Sequence, residues 1–290
     1  MSFSGVPTIE VLSPGTGLTI QDHGRPGWKR YGVPPGGAMD QHALAMANRL
    51  VGNPPGTPAL ECLLHGARLR VLRDVRVGFA GGGSAASAPG PWRSAILNEG
   101  TIIDLKPSRT GIWGYVAIEG GVCEPEVFGS ASAYPRAGIG RNLKALEILN
   151  TGTRRNKTGS SWPGGHLAPW DEVRDFSRIP AIRVWPGPQF DAFEPTAWST
   201  LLATAWTVSP SSDRSGYRLN GTTLSSPAQS MRSEPVLVGS IQIPPGGEPI
   251  VTMRDGPTVG GYPKIAIVDD ASLDWLAQAA PGVMFQFVAA

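Results

Sequence analysis

Cysteine and histidine are scarce in this chain, and charge is thin. Two cysteines and four histidines occur in 290 residues, and only 17% of the residues are charged. Cys62 and Cys123 are isolated in apolar company, which reads as reduced, buried, structural thiols rather than a disulfide or a nucleophile. His23, His42, His65 and His166 show no metal-ligand spacing, so no zinc centre and no other metal site is expected. A formal net charge of +2 gives no basis for binding nucleic acid or an anionic membrane surface. No apolar run approaches the roughly 18 residues of a transmembrane helix, and the first residues lack the basic and apolar regions of a signal peptide. The expected compartment is therefore the cytoplasm. The Lys-Ser/Thr pair of a phosphate-binding loop is missing. Gly81-Gly82-Gly83-Ser84 lacks the context of a nucleophile elbow, and no Ser-His-Asp set can be assembled from spacing, which argues against a self-sufficient classical hydrolase.

Glycine and proline, by contrast, are abundant: 38 and 28 residues, spread without a collagen period. They punctuate short apolar runs at 8–12, 69–72, 75–80, 101–105, 113–119, 182–185, 241–244, 249–253 and 264–268. Strand-like runs at a spacing of roughly ten residues predict a mainly β fold of barrels or sandwiches. Helices are expected over 39–51, 191–203 and 271–279, the last capped by Asp269-Asp270. The polar, nonperiodic stretch 152–177 reads as a connection, and its two tryptophans suggest that parts of it pack down on something. The expected organisation is a first domain at 1–150, a connecting segment at 151–178 and a second domain at 179–290. An internal echo supports duplication: Asp22-x-x-Arg25-x-Gly27, Leu60-Glu61-x-x-x-x-Gly66 and Val75-Arg76-Val77 recur in the same order as Asp213-Arg214-x-Gly216, Ser233-Glu234-x-x-x-x-Gly239 and Ile250-Val251-Thr252.

Three loops carry the residues suited to chemistry. The first, DHGRPGWKRYGVPPGGAMD at 22–40, combines five glycines, three prolines and three basic side chains. A stiff loop holding Arg25, Lys29 and Arg30 suits a carboxylate or phosphate, because guanidinium binds such groups through two parallel hydrogen bonds. The alternative is that Arg25 pairs with Asp22 or Asp40 and pins the loop. The second, SSDRSGYRLNG at 211–221, sets Asp213, Arg214 and Arg218 around a turn glycine, as a polar loop at a barrel mouth or as an Asp–Arg clamp. The third, MRDGPTVGGYP at 253–263, offers backbone N–H groups around Gly260 and Gly261, with Asp255 and Tyr262 beside them; a plain glycine-rich hairpin is its alternative.

The runs QDHGRPGWKRYGVPPGGAMDQHALAMANRLVGN, ALECLLHG, SDRSGYRLNG, GSIQIPPGGEPI and DGPTVGGYPKIAIV resemble the family variously called allophanate hydrolase subunit 2, the C subunit of 5-oxoprolinase, or carboxyltransferase subdomains A and B. The kinase-inhibitor antagonists of sporulation belong to it. The resemblance covers nearly the whole chain. It implies two cyclophilin-like β barrels with a few short helices. It also implies a companion subunit 1 of the subdomain C and D type and, in many bacteria, a lactam-utilisation subunit.

The leading reading is a subunit of an ATP-dependent 5-oxoprolinase acting on a small anionic amide, with ATP and Mg²⁺ used at the level of the complex. On that reading Arg25, Arg214 and Arg218 would hold the substrate, with Gly260, Gly261 and Tyr262. Asp22, Asp213 or Asp255 would orient the nucleophile or hold a metal-bound nucleotide. The alternatives are a non-catalytic protein that binds a kinase-inhibitor-like partner, and the carboxyltransferase component of a biotin-dependent enzyme. In the last case biotin would ride on another chain, since no Met-Lys-Met biotinylation signal is present here. Two loops depart from the usual pattern. Pro257 and Val259 replace a glutamine and a threonine, and Ala133-Tyr134 follow Ser132 where many members have threonine. Both departures change the hydrogen-bonding inventory.

Overall fold

The computed structural model describes residues 5–63, 66–86, 90–106, 110–153, 165–227 and 231–290. His65 and Trp162 lie outside the described residues. Contacts divide the chain into two compact units, Met1–Arg25 with Gly36–Ser177 and Pro26–Pro35 with Arg178–Ala290.

Unit 1 contains β1 (Val6–Pro14), β2 (Leu18–Gln21), β3 (Ala59–Leu63), β4 (Ala67–Val71), β5 (Val75–Gly81), β6 (Ser84–Ala86), β7 (Arg93–Leu97), β8 (Ile102–Lys106), β9 (Trp113–Ile118) and β10 (Ile148–Thr151). They form two five-stranded sheets, in the orders β10-β1-β4-β8-β6 and β2-β3-β9-β5-β7. Strand β4 shows why one face turns inward: Ala67, Leu69 and Val71 are buried while Arg68 and Arg70 are exposed, the period of two expected of a half-covered strand. Strand β9 is buried along its whole length, as befits its place between β3 and β5. Ile9, Val11, Leu69, Val71, Ile103 and Leu105 from one sheet meet Leu18, Ile20, Leu60, Val77, Phe79 and Val116 from the other in a single core.

Helix α1 (Gln41–Leu50) packs on β5, burying Ala43, Leu44, Ala47 and Leu50. Gly78 permits the close approach, because a Cβ there would sit 2.6 Å from the Ala47 carbonyl oxygen. The helix starts where Asp40 accepts the Ala43 N–H at 2.9 Å. Removing that cap with Asp40→Ala should cost about 1 kcal/mol in chemical denaturation.

The described part of the expected connection, 165–177, lies along the edge of unit 1. Ser94 N donates to His166 O at 2.8 Å, Ala168 N donates to Trp92 O at 2.9 Å, and the Phe176 ring sits 6.2 Å from that of Trp92. Part of the stretch packs down as expected, but through Phe176, 7% exposed, rather than Trp170, which is 88% exposed. Cys62 is buried and burial pushes its thiol pKa far up, whereas Cys123, expected buried, is only half-buried. Both are free thiols.

Unit 2 contains β11 (Ile182–Pro186), β12 (Trp206–Val208), β13 (Gly216–Asn220), β14 (Glu234–Pro235), β15 (Ser240–Gln242), β16 (Ile250–Thr252), β17 (Val259–Gly260), β18 (Lys264–Val268), β19 (Met284–Phe285) and β20 (Phe287–Ala289). Eight of them form one sheet in the order β19-β12-β13-β16-β15-β18-β11-β20. Its two edge strands are separated in sequence only by Gln286, whose carbonyl accepts the Ile182 N–H at 2.8 Å. The sheet is therefore a nearly closed barrel, an arrangement that removes exposed sheet edges. Trp206, fully buried, packs inside and donates its Nε1–H to Leu201 O at 2.8 Å.

Helix α2 (Pro195–Ala203) begins with Pro195 in its first turn, where the missing N–H costs nothing. A 3₁₀ turn at Phe190–Ala192 takes up the earlier part of the expected helix. Helix α3 (Asp270–Ala277) follows Asp269 as expected, but the Asp269 side chain meets Arg183 at 3.3 Å instead of capping. The mainly β fold with barrel architecture and a few short helices is as the sequence predicted. No helix among the described residues is long and apolar enough to cross a membrane.

One pair of the duplication echo, Glu61 and Glu234, sits in unlike settings, whereas Val75-Arg76-Val77 and Ile250-Val251-Thr252 both lie in strands, β5 and β16. Glu61 sits inside β3 of a five-stranded sheet and is 1% exposed. Glu234 lies in β14, which pairs only with β17, outside the barrel sheet.

Candidate functional site

The opening loop is split between the units. Asp22 directly follows β2 in unit 1, where its carboxylate is a junction: Oδ1 accepts from Gly24 N at 2.6 Å, Ser130 Oγ at 2.6 Å and Ser132 Oγ at 2.5 Å, and Oδ2 accepts from Ala131 N at 2.7 Å. Arg25 is 1% exposed and donates through Nε to Val127 O at 3.3 Å and through Nη2 to Ser132 O. In this structure both side chains tie the 22–25 turn to the 127–132 segment. Residues 26–35 belong to unit 2. There Lys29 and Arg30 lie in a 3₁₀ turn, the Arg30 guanidinium sits 4.8 Å over the Tyr31 ring, and Lys29 Nζ donates to Val236 O. Burial lowers the pKa of the Lys29 ammonium.

The second and third loops meet within unit 2. Arg214 holds Asp255 with two parallel bonds, Nε to Oδ2 at 2.7 Å and Nη2 to Oδ1 at 3.2 Å. Asp255 N also donates to Arg214 O at 2.9 Å, so side chains and backbone clasp the same two turns. Asp213 accepts Ser215 N at 2.7 Å and shapes its own turn. Arg218 is exposed on β13. Gly256 spends its N–H on Met253 O at 2.9 Å, and a Cβ there would lie 2.3 Å from Thr252 Cγ2. Its role is close packing.

The most chemically organised group lies at the far end of the third loop. Strand β14 pairs with β17 so that Glu234 faces Gly260 across the ladder. Lys264, two residues after Tyr262, is 1% exposed, and its Nζ lies 2.7 Å from Glu234 Oε1. Gln189 bridges the pair: its Nε2 donates to Glu234 Oε1 at 2.8 Å while its Oε1 accepts Lys264 N at 3.1 Å. The hydrogen bond from Lys264 holds the Glu234 carboxyl below its usual pKa, so it is ionised at neutral pH. Opposite Lys264 in register stands Gln242, 5% exposed, which donates to Thr252 Oγ1 at 3.0 Å. Gly260 lies so close that a Cβ would be 2.9 Å from Gln242 Oε1. Gly261 and Tyr262 are exposed beside this group.

Of the residues singled out from sequence, Gly260, Gly261 and Tyr262 flank this cluster, while Asp22 with Arg25 and Arg214 with Asp255 form separate knots. Sequence reasoning misses Glu234, Lys264, Gln189 and Gln242 as site residues. Glu234 does appear in the repeat pattern, but nothing in the order of residues says that a lysine so much later in the chain reaches it.

Comparison with known proteins agrees with the fold. The carboxyltransferase domain family, subdomain A and B, matches residues 31–289. The chain is 35% identical over 295 residues to the 5-oxoprolinase C subunit of Haemophilus influenzae, covering 97% of this chain and 91% of that protein. It is 30% identical over 309 residues to urea amidolyase of Lachancea kluyveri, of which the match spans 17%. The crystal structure of TTHA0988 superposes with a TM-score of 0.88 at 34% identity, covering 98% of this chain and 56% of that one; the chain thus spans about half the length of that solved relative. By the match to the family model and by these relatives, the chain belongs to the carboxyltransferase subdomain A and B family.

Proposed function

We propose that this chain is the C-type subunit of a heteromeric, ATP-dependent 5-oxoprolinase, which opens the lactam of 5-oxoproline to give glutamate. The observation that carries this reading is the near full-length likeness to the Haemophilus protein. The assembly is completed by a companion of the subdomain C and D type and by a lactam-utilisation subunit. A five-membered lactam resists hydrolysis, and ATP supplies activation by phosphorylating it. We assign the Mg²⁺–ATP site to the companions, since the buried carboxylates of Asp22 and Asp255 are spent here on internal bonds. This chain contributes the loop Gly260-Gly261-Tyr262 with Glu234, Lys264 and Gln189. The complex works in the cytoplasm, a reading supported by the free thiols Cys62 and Cys123.

A second reading is a carboxyltransferase component working with a biotin carrier on another chain. The family match itself and the likeness to urea amidolyase favour it.

One reconstitution separates the two. The chain is copurified with its companions and assayed for ATP-dependent glutamate release from 5-oxoproline, and in parallel for carboxyl transfer from carboxybiotin to urea. Glutamate release that vanishes when this chain is left out is the expected result. Carboxyl transfer without glutamate release establishes the second reading, and tight assembly with neither activity overturns both.

A further inference from the structure

The Lys264–Glu234 pair is asymmetric in a way that a purely structural ion pair is not. Burying an ammonium costs several kcal/mol, and the cost is recovered when every remaining donor and lone pair is satisfied in the same dry site. Here only the cation is buried: the Lys264 side chain is 2% exposed and that of Glu234 37%. Both donors that hold the glutamate, Lys264 Nζ and Gln189 Nε2, converge on one oxygen, Oε1. Among the described residues none bonds to Oε2. Gln189 is itself fixed at its other end by Lys264 N, which also sets which way its amide points. Pairing of β14 with β17 then fixes the backbone of Glu234 against Gly260. The result is a carboxylate clamped at one oxygen and presented at the other, beside the exposed Gly261 and Tyr262.

We propose that Glu234 Oε2 is the acceptor for the N–H of an amide substrate, with Lys264 and Gln189 as positioning residues that orient it. This deepens the 5-oxoprolinase reading and rests on it. The ring N–H of a lactam is a single donor in the plane of the amide. A fixed, ionised acceptor selects it over a ring of the same shape that carries oxygen there, because a charge-assisted hydrogen bond is gained in one case and lone pairs oppose each other in the other. Held ionised by Lys264, Glu234 keeps this preference across the neutral pH range.

The test uses the whole reconstituted complex and compares the KM for 5-oxoproline with the inhibition constant of the matching γ-lactone, in which ring oxygen replaces N–H. The wild-type complex should favour the lactam by roughly 10- to 100-fold, the worth of one hydrogen bond to a charged group. Glu234→Gln keeps the size but turns an amide NH₂ outward, and should reduce that preference to about threefold or less; it also leaves the buried Lys264 ammonium without its counter-charge, so the thermal midpoint should fall, and the preference, a ratio of two constants of the folded complex, is measured below it. Gln189→Ala should fall between. Lys264→Met should raise KM more than it lowers kcat, and Lys264→Arg should restore most of the loss; if Lys264→Met fails to fold, Glu234→Gln and Gln189→Ala carry the test alone. A wild-type complex that turns over 5-oxoproline, with lactam preference unchanged in Glu234→Gln, overturns this inference and leaves the proposed function standing. A wild-type complex with no turnover of 5-oxoproline overturns the function and this inference with it.

Discussion

Asp22→Ala should lower the thermal unfolding midpoint by roughly 6–20 °C, corresponding to about 3–5 kcal/mol for removal of a charged group from a buried bonded network. The carboxylate is the common acceptor for two backbone N–H groups, of Gly24 and Ala131, and two hydroxyls, of Ser130 and Ser132. Alanine leaves these donors facing one another with nothing to accept them, and each orphaned group carries its own desolvation cost. Asp22→Asn should lose less, because one oxygen remains and the serine hydroxyls can rotate to accept from the new amide. Differential scanning calorimetry of the whole chain, with turnover of the reconstituted complex beside it, decides what kind of residue this is. A variant that melts like wild type yet abolishes turnover would show that Asp22 acts in the chemistry.

The Arg214–Asp255 clasp should show the second large effect. Asp255→Ala removes the carboxylate from a guanidinium whose side chain is only 18% exposed, and should cost about 2–4 kcal/mol, discounted from the fully buried case for that partial solvent access. Arg214→Met should cost a similar amount. The double variant should cost less than the sum, with a coupling energy of about 1–3 kcal/mol, because once one charge is gone the other is a liability. Urea denaturation of the four proteins measures that cycle. Strict additivity would mean that the two parallel bonds contribute nothing to folding, and a catalytic role for Asp255 would then regain its force. The clasp also explains why Asp255 attracts attention in sequence: the same Asp–Arg chemistry that suits a substrate carboxylate also suits a turn that must be tied.

Much of the fold is legible from the order of residues. The inward pattern of β4, the apolar run of β9 and the glycine and proline punctuation are local signals, each readable within about ten residues. The short strands at 206–208, 284–285 and 287–289 escape a sequence reading. They are too short for a period to declare itself, and they exist because the barrel nearly closes around them. Trp170 misleads because aromatic content reports a tendency to bury, not a partner to bury against.

The candidate site divides along the same line. Gly260, Gly261 and Tyr262 are visible because glycine and turn chemistry are local. Glu234, Lys264 and Gln189 are invisible as a group because they come from three separate stretches brought together by the pairing of β14 with β17 and of β11 with β18.

The sequence by itself determined the class of fold, the lack of zinc-motif spacing and the places where the chain must turn, since these follow from composition and short-range spacing, and it carried the family through the resemblance of whole motifs. Only the tertiary structure decided which charges are consumed as internal ties and which stay available, because that depends on which carbonyls, hydroxyls and carboxylates lie within about 3 Å of each cation once distant strands are side by side.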